Sequence, residues 1–473
     1  MLTTPPRNPD ADEVAALRAW IASEFNRARP SGMTPLDGVL YQPIPFAEFA
    51  DLPCERDSSE DRYRMLRASI DYGDARVLDL GCANGFFLFR LATSDAGIAE
   101  GAGFDHFPDN VRLASELVRL YDLGDRLRFR RGSVSPGFVE ERLAEGPWDV
   151  CHLLSVHHHL IRQLGGAPTR EILRRLYESC GTLVLEQGSL TVEEYREWTG
   201  RDEPFDSGSF TRFVSMLESA GIPADACWPL GHAMYLSGLR DDRAGSRRAL
   251  VACSRARRGR GVTGVWRKRH RNGIFMELLR TGGPQGEEIW KNVVTGPSLA
   301  RREQAALAEL AGESGFPVLV EPATAAAQAV QGLIRMRALE IRQIAAADGA
   351  RLGARLRSQL VERLMTLARH GLIHNEIVPG HLFLDPDDRL TLIDFETAYP
   401  VSEPRSSWLD EVFAPNPALG LGSYPLEKQL GGEFLEVDLI AADAVLASWG
   451  LAALTAAERA AYLGQLRSAG AGA

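Results

Sequence analysis

The segment RVLDLGCANGFFLFRLA, residues 76–92, decides the fold of the first half of the chain. An apolar run containing Asp79 is followed by small residues at alternate positions, Gly81, Ala83 and Gly85, and then by a second apolar run. Small residues let the backbone turn tightly and approach a ligand closely, and the N-terminus of a helix offers unpaired N–H groups. The segment therefore predicts a strand, a ligand-binding turn and a helix.

Around this segment, short apolar runs typical of strands alternate with helical patterns. The predicted strands are RVLDLG (76–81), GAGFD (101–105), RLRFRR (126–131), WDVCHLLS (148–155) and TLVLEQ (182–187). Such alternation implies a parallel sheet with helices on both faces. Two further runs, 232–239 and 247–254, predict an antiparallel hairpin that completes a seven-stranded, mostly parallel, Rossmann-like α/β sheet. An amphipathic helix is predicted at 11–28.

Composition excludes several classes of protein. The formal net charge of -10 argues against a nucleic-acid-coating protein. No apolar run approaches the roughly 20 residues of a membrane span, and the N-terminus lacks the pattern of a secretory signal. We therefore expect a cytoplasmic protein. Segment 255–271 is rich in Arg and Lys and has no acid, which makes it a candidate for binding an anionic glycan, a nucleotide, the inner membrane surface or an assembly partner. A solvated linker is the alternative.

The motif DLGCANG narrows the ligand of the glycine-rich turn. A turn of this kind could serve a nicotinamide cofactor or only pack a helix on a sheet. The motif resembles that of class I S-adenosylmethionine-dependent methyltransferases, in which an acid precedes the first glycine by two residues. The resemblance implies that S-adenosylmethionine binds at Gly81, Ala83 and Gly85, with Asp79 near its methionine end. Ala83 stands where the motif usually has glycine.

Two residues beyond the turn are further candidates for cofactor contact. Asp105 ends the second predicted strand, where a carboxylate can accept hydrogen bonds from both ribose hydroxyls. Ser133 follows the third strand, at a place where many methyltransferases of this class have an acid near the adenine amino group.

Three residues are candidates for contact with the molecule that accepts the methyl group. His158 and His159 follow the fourth strand, and we expect a loop there that contacts substrate or cofactor. Local hydrogen bonding and metal ligation are the alternatives, although neighbouring side chains project in different directions. A hydroxyl acceptor would need a general base, and a histidine with a pKa near 6.5 would suit; a phosphate acceptor would need only positioning. Tyr41 either steers the acceptor, as the resemblance implies, or packs the N-terminal arm over the cofactor.

The second half contains LARHGLIHNEIVPGHLFLDPDDRLTLIDFETA, residues 367–398. It resembles the small-molecule and sugar kinases, in which an HxDxxxxN loop precedes a metal-binding DF[GDE] motif. The resemblance implies an α+β protein-kinase-like domain that binds ATP and Mg²⁺ if it is active. His374 matches the loop histidine and Asp394 the metal-binding acid. Lys291 and Glu303 match the pair that positions the nucleotide phosphates.

The kinase-like loop departs from that pattern at two positions. Glu376 replaces the catalytic Asp, and His381 replaces the metal-binding Asn. A displacement of about 1 Å at a catalytic group can cost roughly 100-fold in rate, and Mg²⁺ prefers oxygen ligands. An adapted kinase and a pseudokinase or binding module therefore both remain open.

The order of the two halves resembles bifunctional O-antigen chain-terminating methyltransferase/kinases. The resemblance implies phosphorylation and methylation of a glycan end in surface polysaccharide synthesis. A small-molecule methyltransferase with a regulatory pseudokinase is the alternative. We predict an N-terminal helical arm (1–37), a methyltransferase domain (38–257), a kinase-like domain (258–432) and a C-terminal helical segment (433–473).

Overall fold

A computed structural model of the protein describes residues 7–25, 39–54, 58–95, 97–188, 190–200, 207–235, 246–269, 275–283, 286–293, 297–320, 333–395, 398–402 and 434–471. The chain divides into two compact units, Met1–Thr263 and Gly264–Ala473. We call these the first unit and the second unit, and each is described by itself.

The first unit contains seven strands and nine helices of the described chain. The strands are β1 (Arg76–Leu80), β2 (Glu100–Asp105), β3 (Leu127–Arg131), β4 (Trp148–Leu154), β5 (Cys180–Glu186), β6 (Cys227–Tyr235) and β7 (Ser246–Cys253). The helices are α1 (Ala11–Ser23), α2 (Ser59–Ser69), α3 (Phe86–Ala92), α4 (Pro108–Leu120), α5 (Pro136–Leu143), α6 (His157–Leu164), α7 (Gly166–Ser179), α8 (Val192–Thr199) and α9 (Phe210–Ser219).

The seven strands form one sheet in the order β3-β2-β1-β4-β5-β7-β6. Strands β1 to β5 pair in parallel, whereas β7 is antiparallel to both β5 and β6. The predicted seven-stranded, mostly parallel α/β sheet is confirmed, and so is the hairpin that completes it. The carboxyl ends of β1, β2 and β4 lie at one edge, where ligands bind in open sheets of this type.

Burial explains why these strands form. The central strand β1 is almost entirely buried, as expected for a parallel strand covered by helices on both faces. The flanking helices begin at recognisable caps: the Asp10 carboxylate accepts the N–H of Asp12 at the start of α1, and Thr191 and Glu194 form a capping box at the start of α8. Side chains of α1, α3 and α4 share one apolar core with the sheet.

Two sequence predictions need correction in this unit. The sixth strand begins at Cys227 and not at His232, so Trp228 and Leu230 also lie in the sheet. Helix α6 begins at His157, so His158 and His159 lie in a first helical turn and not in a loop. The chain forms a helix directly after β4 because helical packing buries the apolar residues Leu160 and Ile161.

The second unit begins within a strand and mixes small sheets with helices. Its strands are β8 (Val262–Arg269), β9 (Phe275–Gly283), β10 (Gly286–Val293), β11 (Leu333–Arg337), β12 (Arg342–Gln343), β13 (Leu372–Ile373), β14 (Leu382–Leu384), β15 (Leu390–Leu392) and β16 (Tyr399–Pro400). Its helices are α10 (Pro297–Glu309), α11 (Ala346–Arg369), α12 (Val437–Ser448) and α13 (Ala456–Ala471).

The four longer strands pair in the order β11-β10-β9-β8, and helix α10 packs beside β10 and β11. Strand β8 falls within the basic segment 255–271, so that part of the segment is a sheet strand and not an irregular linker. Gly273, which could turn the chain between β8 and β9 over a nucleotide, lies outside the described residues. The C-terminal helical segment forms two helices, α12 and α13, that pack on the same apolar core as α11. None of the described helices is long and apolar enough to cross a membrane.

Close packing behind the glycine-rich turn can be tested at Gly103. A Cβ there would lie 2.4 Å from the Phe129 ring and 2.9 Å from Cys82 Sγ. We expect Gly103→Ala to lower the free energy of unfolding of the first unit by about 1–3 kcal/mol, because overpacking forces side chains from their preferred positions.

The matched control is Gly137→Ala on the exposed side of α5, where a Cβ meets no atom within 4 Å. This variant should be neutral or stabilise by up to about 1 kcal/mol. Urea unfolding measures both variants. Equal stability of the two would contradict the packing described behind the turn.

Candidate functional site

The turn between β1 and α3 is held in a backbone shape that few residues adopt. Gly81, Ala83 and Gly85 have φ values of 82°, 49° and 84°, all in the left-handed region. The N–H groups of Gly81 and Cys82 both donate to the carbonyl oxygen of Phe104, at 2.7 and 3.1 Å. A Cβ at Gly81 would lie 2.2 Å from Val156 Cγ2, so glycine is needed there for space as well. The sequence-predicted turn is present at the carboxyl edge of the sheet.

Asp105 at the end of β2 is tied directly to this turn. Its Oδ2 accepts the N–H of Ala83 at 2.9 Å, and its Oδ1 accepts the N–H of Phe107 at 2.8 Å. The side-chain amide of Asn110 lies 3.3 Å from the same Oδ1. These bonds orient the carboxylate, which retains further lone pairs for a ligand because each ionised carboxylate has about four acceptor sites.

Asp79 lies beneath the turn and is almost completely buried. Its Oδ2 has no hydrogen-bond partner among the described residues. Burial raises the pKa of Asp79 to about 7, and the negative charge of Asp105 adds to the effect. A buried carboxylate without a partner costs free energy, so this position favours a ligand that carries a positive charge or a proton donor.

The segment before α2 contacts the same turn through Asn84, which the sequence analysis did not identify. The Asn84 side-chain amide donates to the backbone carbonyl of Gln42 at 2.9 Å. Asn84 Oδ1 and Gln42 Oε1 are both buried without a partner among the described residues. Tyr41, immediately before Gln42, is half-buried in the same segment. A polar residue inside a turn of otherwise small residues was the available signal for Asn84.

Ser133 lies two residues beyond the end of β3 and is exposed. It follows Gly132, whose N–H donates to the backbone carbonyl of Asp105 at 3.0 Å, so the chain there is attached to the end of β2. The contact of Ser133 with an adenine ring remains a prediction.

Burial makes the histidines at the start of α6 weak proton acceptors. His158 is buried, and its ring packs against that of His159 with the centroids 4.1 Å apart. Burial lowers the pKa of His158 to about 2, and the charges of Arg248 and Arg162 act in the same direction. His158 is therefore neutral near pH 7 and a weaker proton acceptor than the histidine of pKa near 6.5 that would suit a hydroxyl acceptor. The pKa of His159 is also lowered by burial.

A buried charged network missing from the sequence analysis lies beside these histidines. Arg62 on α2 donates to Glu186 Oε2 at 2.8 Å, and Ser155 Oγ donates to Glu186 Oε1 at 2.7 Å. Arg248 on β7 donates in turn to Ser155 Oγ at 3.1 Å. Ser155 has a φ of 58°, so the chain after β4 is held in a strained conformation. The network joins the ends of β4, β5 and β7 at the edge of the sheet where the histidines lie.

In the second unit, the predicted lysine–glutamate pair is joined to Asp394. Lys291 Nζ lies 2.6 Å from Glu303 Oε2 and 2.5 Å from Asp394 Oδ1. All three side chains are largely buried, and the N–H of Phe395 approaches Glu303 Oε1 at 3.4 Å. Asp394 itself has a φ of 70°. The structure therefore brings Lys291, Glu303 and Asp394 together; their roles toward a nucleotide remain predictions.

The loop that contains His374 is held by an acid far along the chain. Asp438 on α12 accepts the N–H groups of His374 and Asn375, each at 2.8 Å, and the Tyr462 hydroxyl lies 3.2 Å away. Burial raises the pKa of Asp438 to about 6. His374 is fully buried and its Nε2 lies 3.1 Å from the carbonyl oxygen of Ile393. Sequence reasoning found His374 but not Asp438.

The substituted positions of the loop surround the metal-binding acid. His381 Nε2 lies 3.2 Å from Asp394 Oδ2, and His381 Nδ1 lies 3.0 Å from the backbone carbonyl oxygen of Glu376. Mg²⁺ prefers oxygen ligands and gives up its bound water reluctantly. An imidazole nitrogen at this position therefore does not fit Mg²⁺. Among the described residues no group of three or more His, Cys, Asp or Glu side chains is arranged to hold a metal ion.

Comparison with known proteins finds sequence similarity over about a third of the chain. The chain is 30% identical over 160 residues to the O-antigen chain terminator bifunctional methyltransferase/kinase WbdD of Escherichia coli. The match covers 34% of this chain and 21% of that protein, so it spans about a fifth of the relative's length. No family model matches the chain.

Solved structures were also compared. A crystal structure of WbdD is 19% identical with a TM-score of 0.39, and the alignment covers 88% of this chain and 94% of that one. The N-terminal domain of EvdMO1, crystallised with SAH and D-fucose, is 16% identical with a TM-score of 0.31, over 46% of this chain and 91% of that one. At these TM-scores the structural similarities alone establish nothing about function.

The raised pKa of Asp79 predicts a pH dependence of stability for the free protein. The folded pKa of about 7 lies above the ordinary value of 3.8, so the folded state binds the proton more tightly. The stability that protonation contributes is fully present below about pH 4 and is lost as the pH rises toward 7, by at most about 1.4 kcal/mol per pH unit.

We therefore expect the melting temperature of Asp79→Asn to increase relative to that of the unsubstituted protein as the pH rises from 5 to 8, because asparagine does not ionise. Thermal unfolding at pH 5, 6, 7 and 8 measures the difference. Curves that stay parallel over this range would contradict the environment described for Asp79.

Proposed function

We propose that the first unit is an S-adenosylmethionine-dependent methyltransferase. The observation that carries the proposal is the buried Asp79 carboxylate beneath the glycine-rich turn, whose Oδ2 has no partner among the described residues, next to the oriented Asp105. S-adenosylmethionine carries an ammonium group at its methionine end and two ribose hydroxyls, which match a buried anion and a partly satisfied carboxylate. A nicotinamide cofactor presents no cationic amino group to the buried Asp79.

The residues of the edge fit this cofactor in detail. Asp79 would accept the ammonium group, with Asn84 Oδ1 and Gln42 Oε1 as further buried acceptors near the turn. Asp105 would bind the ribose hydroxyls, and the glycines would let the backbone approach. The cofactor supplies an electrophilic methyl group. The protein's task is then to align a nucleophile against it, which is mainly a matter of positioning and exclusion of water.

An anion is the methyl acceptor that fits this site best, because it needs no deprotonation. His158 is neutral with a pKa of about 2, so it is a poor base for a hydroxyl group. The nearby arginines Arg248 and Arg162 lower the pKa values of both histidines further, and each arginine lies within ion-pair distance of a glutamate, Glu186 and Glu194 respectively. We infer a phosphorylated glycan end as the acceptor, in surface polysaccharide assembly. The similarity to the chain terminator WbdD supports the glycan, and the poor basicity of His158 supports the phosphate.

A second candidate function concerns the second unit. Both oxygens of Asp394 face protein side chains, Lys291 on one and His381 on the other. In an active kinase this acid binds a metal ion. The arrangement therefore also supports a methyltransferase whose second unit is a regulatory or binding module and does not transfer phosphate.

One assay separates these functions. The full chain is incubated with methyl-labelled S-adenosylmethionine and mannose oligosaccharides that carry either a free hydroxyl or a phosphate at the end, with and without ATP and a divalent cation. We expect methylation of the phosphorylated end without ATP. Methylation of the free end only with ATP would assign phosphoryl transfer to the second unit. Equal methylation of the free end with and without ATP would contradict the phosphate acceptor, and no labelled glycan in any arm would contradict the glycan substrate.

The cofactor assignment is tested at Asp105. We expect Asp105→Ala to weaken S-adenosylmethionine binding by roughly 10- to 150-fold, because a charge-assisted hydrogen bond contributes about 1.5–3 kcal/mol. Calorimetric titration measures the affinity. Asp125→Ala, an exposed acid on the same unit, is the matched control and should bind as the unsubstituted chain does. Equal affinity of the Asp105 variant and the control would refute the position of the ribose.

A further inference from the structure

The short connection between β4 and α6 is held in an unfavourable backbone conformation. Ser155 follows the last residue of β4 and has a φ of 58°, a value that residues with a side chain rarely adopt. Such a conformation persists only where the surrounding structure fixes it. Helix α6 begins two residues later, at His157, so the backbone at Ser155 sets the direction in which α6 leaves the sheet.

Two opposite charges fix the Ser155 hydroxyl. It donates to Glu186 Oε1 at 2.7 Å and accepts a guanidinium N–H of Arg248 at 3.1 Å. The Arg62 guanidinium donates to the other oxygen, Glu186 Oε2, at 2.8 Å. The side chains of Arg62 and Glu186 are only 1% and 0% exposed, so water does not compete for these bonds. Charge-assisted hydrogen bonds in a buried place are strong and directional, and they give the hydroxyl one preferred position.

The end of β5 supports the start of α6 at a second point. Glu186 is the last residue of β5, and Gly188 follows two positions later. A Cβ at Gly188 would lie 2.2 Å from His158 Nδ1, so the His158 ring packs directly on the backbone there. The chain from Glu186 to Gly188 therefore contacts the beginning of α6 twice, by a hydrogen bond to Ser155 and by packing against His158.

The same connection touches the glycine-rich turn. Val156, between Ser155 and the first residue of α6, places its Cγ2 only 2.2 Å from where a Cβ of Gly81 would lie. A shift of the backbone at Ser155 would therefore move Val156 against the turn and His158 against the end of β5. Transfer by direct displacement depends on alignment, and a misplacement of about 1 Å can cost roughly 100-fold in rate.

We propose that Glu186 and Ser155 are positioning residues for methyl transfer. Glu186 holds the Ser155 hydroxyl, and this bond fixes the start of α6, with its histidines, against the turn to which we assign the cofactor. Both residues act through Val156 and His158 and exchange no proton with the acceptor. This role rests on the proposed methyl transfer at this edge of the sheet, but not on the identity of the acceptor.

A purely structural role predicts a different result for glycine at this position. Glycine adopts a positive φ without strain, so Ser155→Gly would be harmless if the residue only had to accept this backbone conformation. A positioning role through the hydroxyl predicts that Ser155→Gly and Ser155→Ala lose activity alike, although Ser155→Gly is the more stable of the two. Activity and stability are therefore expected to separate in these two variants.

The test compares these variants in the full chain, with labelled S-adenosylmethionine and a mannose oligosaccharide that ends in phosphate. We expect kcat to fall roughly 10- to 100-fold in both Ser155 variants, because alignment is lost. Calorimetric titration should show little change in S-adenosylmethionine affinity, and urea unfolding checks that both variants fold. Ser219→Ala is the matched control, because the Ser219 hydroxyl also makes a local bond, to the carbonyl oxygen of Met216 at 2.6 Å, and it should keep the full rate.

Histidine side-chain NMR spectra of the ¹⁵N-labelled full chain test the positioning without any acceptor. The ring resonances of His158 and His159 should shift in Ser155→Gly, whereas those of His370 in the second unit should not. Unshifted resonances of His158 and His159, or a Ser155→Gly variant as active as the unsubstituted chain, would overturn the inference. If the unsubstituted chain leaves the oligosaccharide unmethylated, the proposed acceptor is wrong, and the histidine resonances alone then decide whether Ser155 positions α6.

Discussion

The hydrogen bond from the Ala83 N–H to the Asp105 carboxylate is the interaction on which the first unit's site depends. It joins the turn after β1 to the end of β2, and so fixes both the backbone and the acid to which we assign cofactor binding. The turn needs this external acceptor because its residues have positive φ values, including the non-glycine Ala83. Cofactor site and sheet edge are therefore one structural unit.

The same edge concentrates uncompensated negative charge. Ionisation of Asp79 costs free energy, because burial and then the negative charge of Asp105 raise its pKa to about 7, and its Oδ2 has no partner among the described residues. A cationic cofactor relieves this cost, so binding and charge compensation are coupled. Near the histidines of α6, by contrast, the charges are compensated, because Arg162 pairs with Glu194 and Arg248 lies 3.8 Å from Glu186.

The sequence alone predicted those features of the fold and the site that depend on residues close together in the chain. The first two strands, the turn at Gly81 and Gly85, and the juxtaposition of Asp105 with that turn follow from the periodicity and motif spacing around residues 76–105. The Arg62–Glu186 pair could not be found in this way, because its members are 124 positions apart and each looks like an ordinary polar residue. Asp438 lies 64 positions beyond His374 for the same reason. The histidine pKa values depend on burial, which no local pattern reports.

The central claim is that the first unit binds a cationic methyl donor at the turn after β1. Its most direct test is calorimetric titration of the full chain with S-adenosylmethionine at pH 6 and pH 8. The account predicts one bound molecule per chain, held more tightly at pH 8 because Asp79, with a pKa of about 7, is then ionised. No binding at either pH, or tighter binding at pH 6, would contradict it.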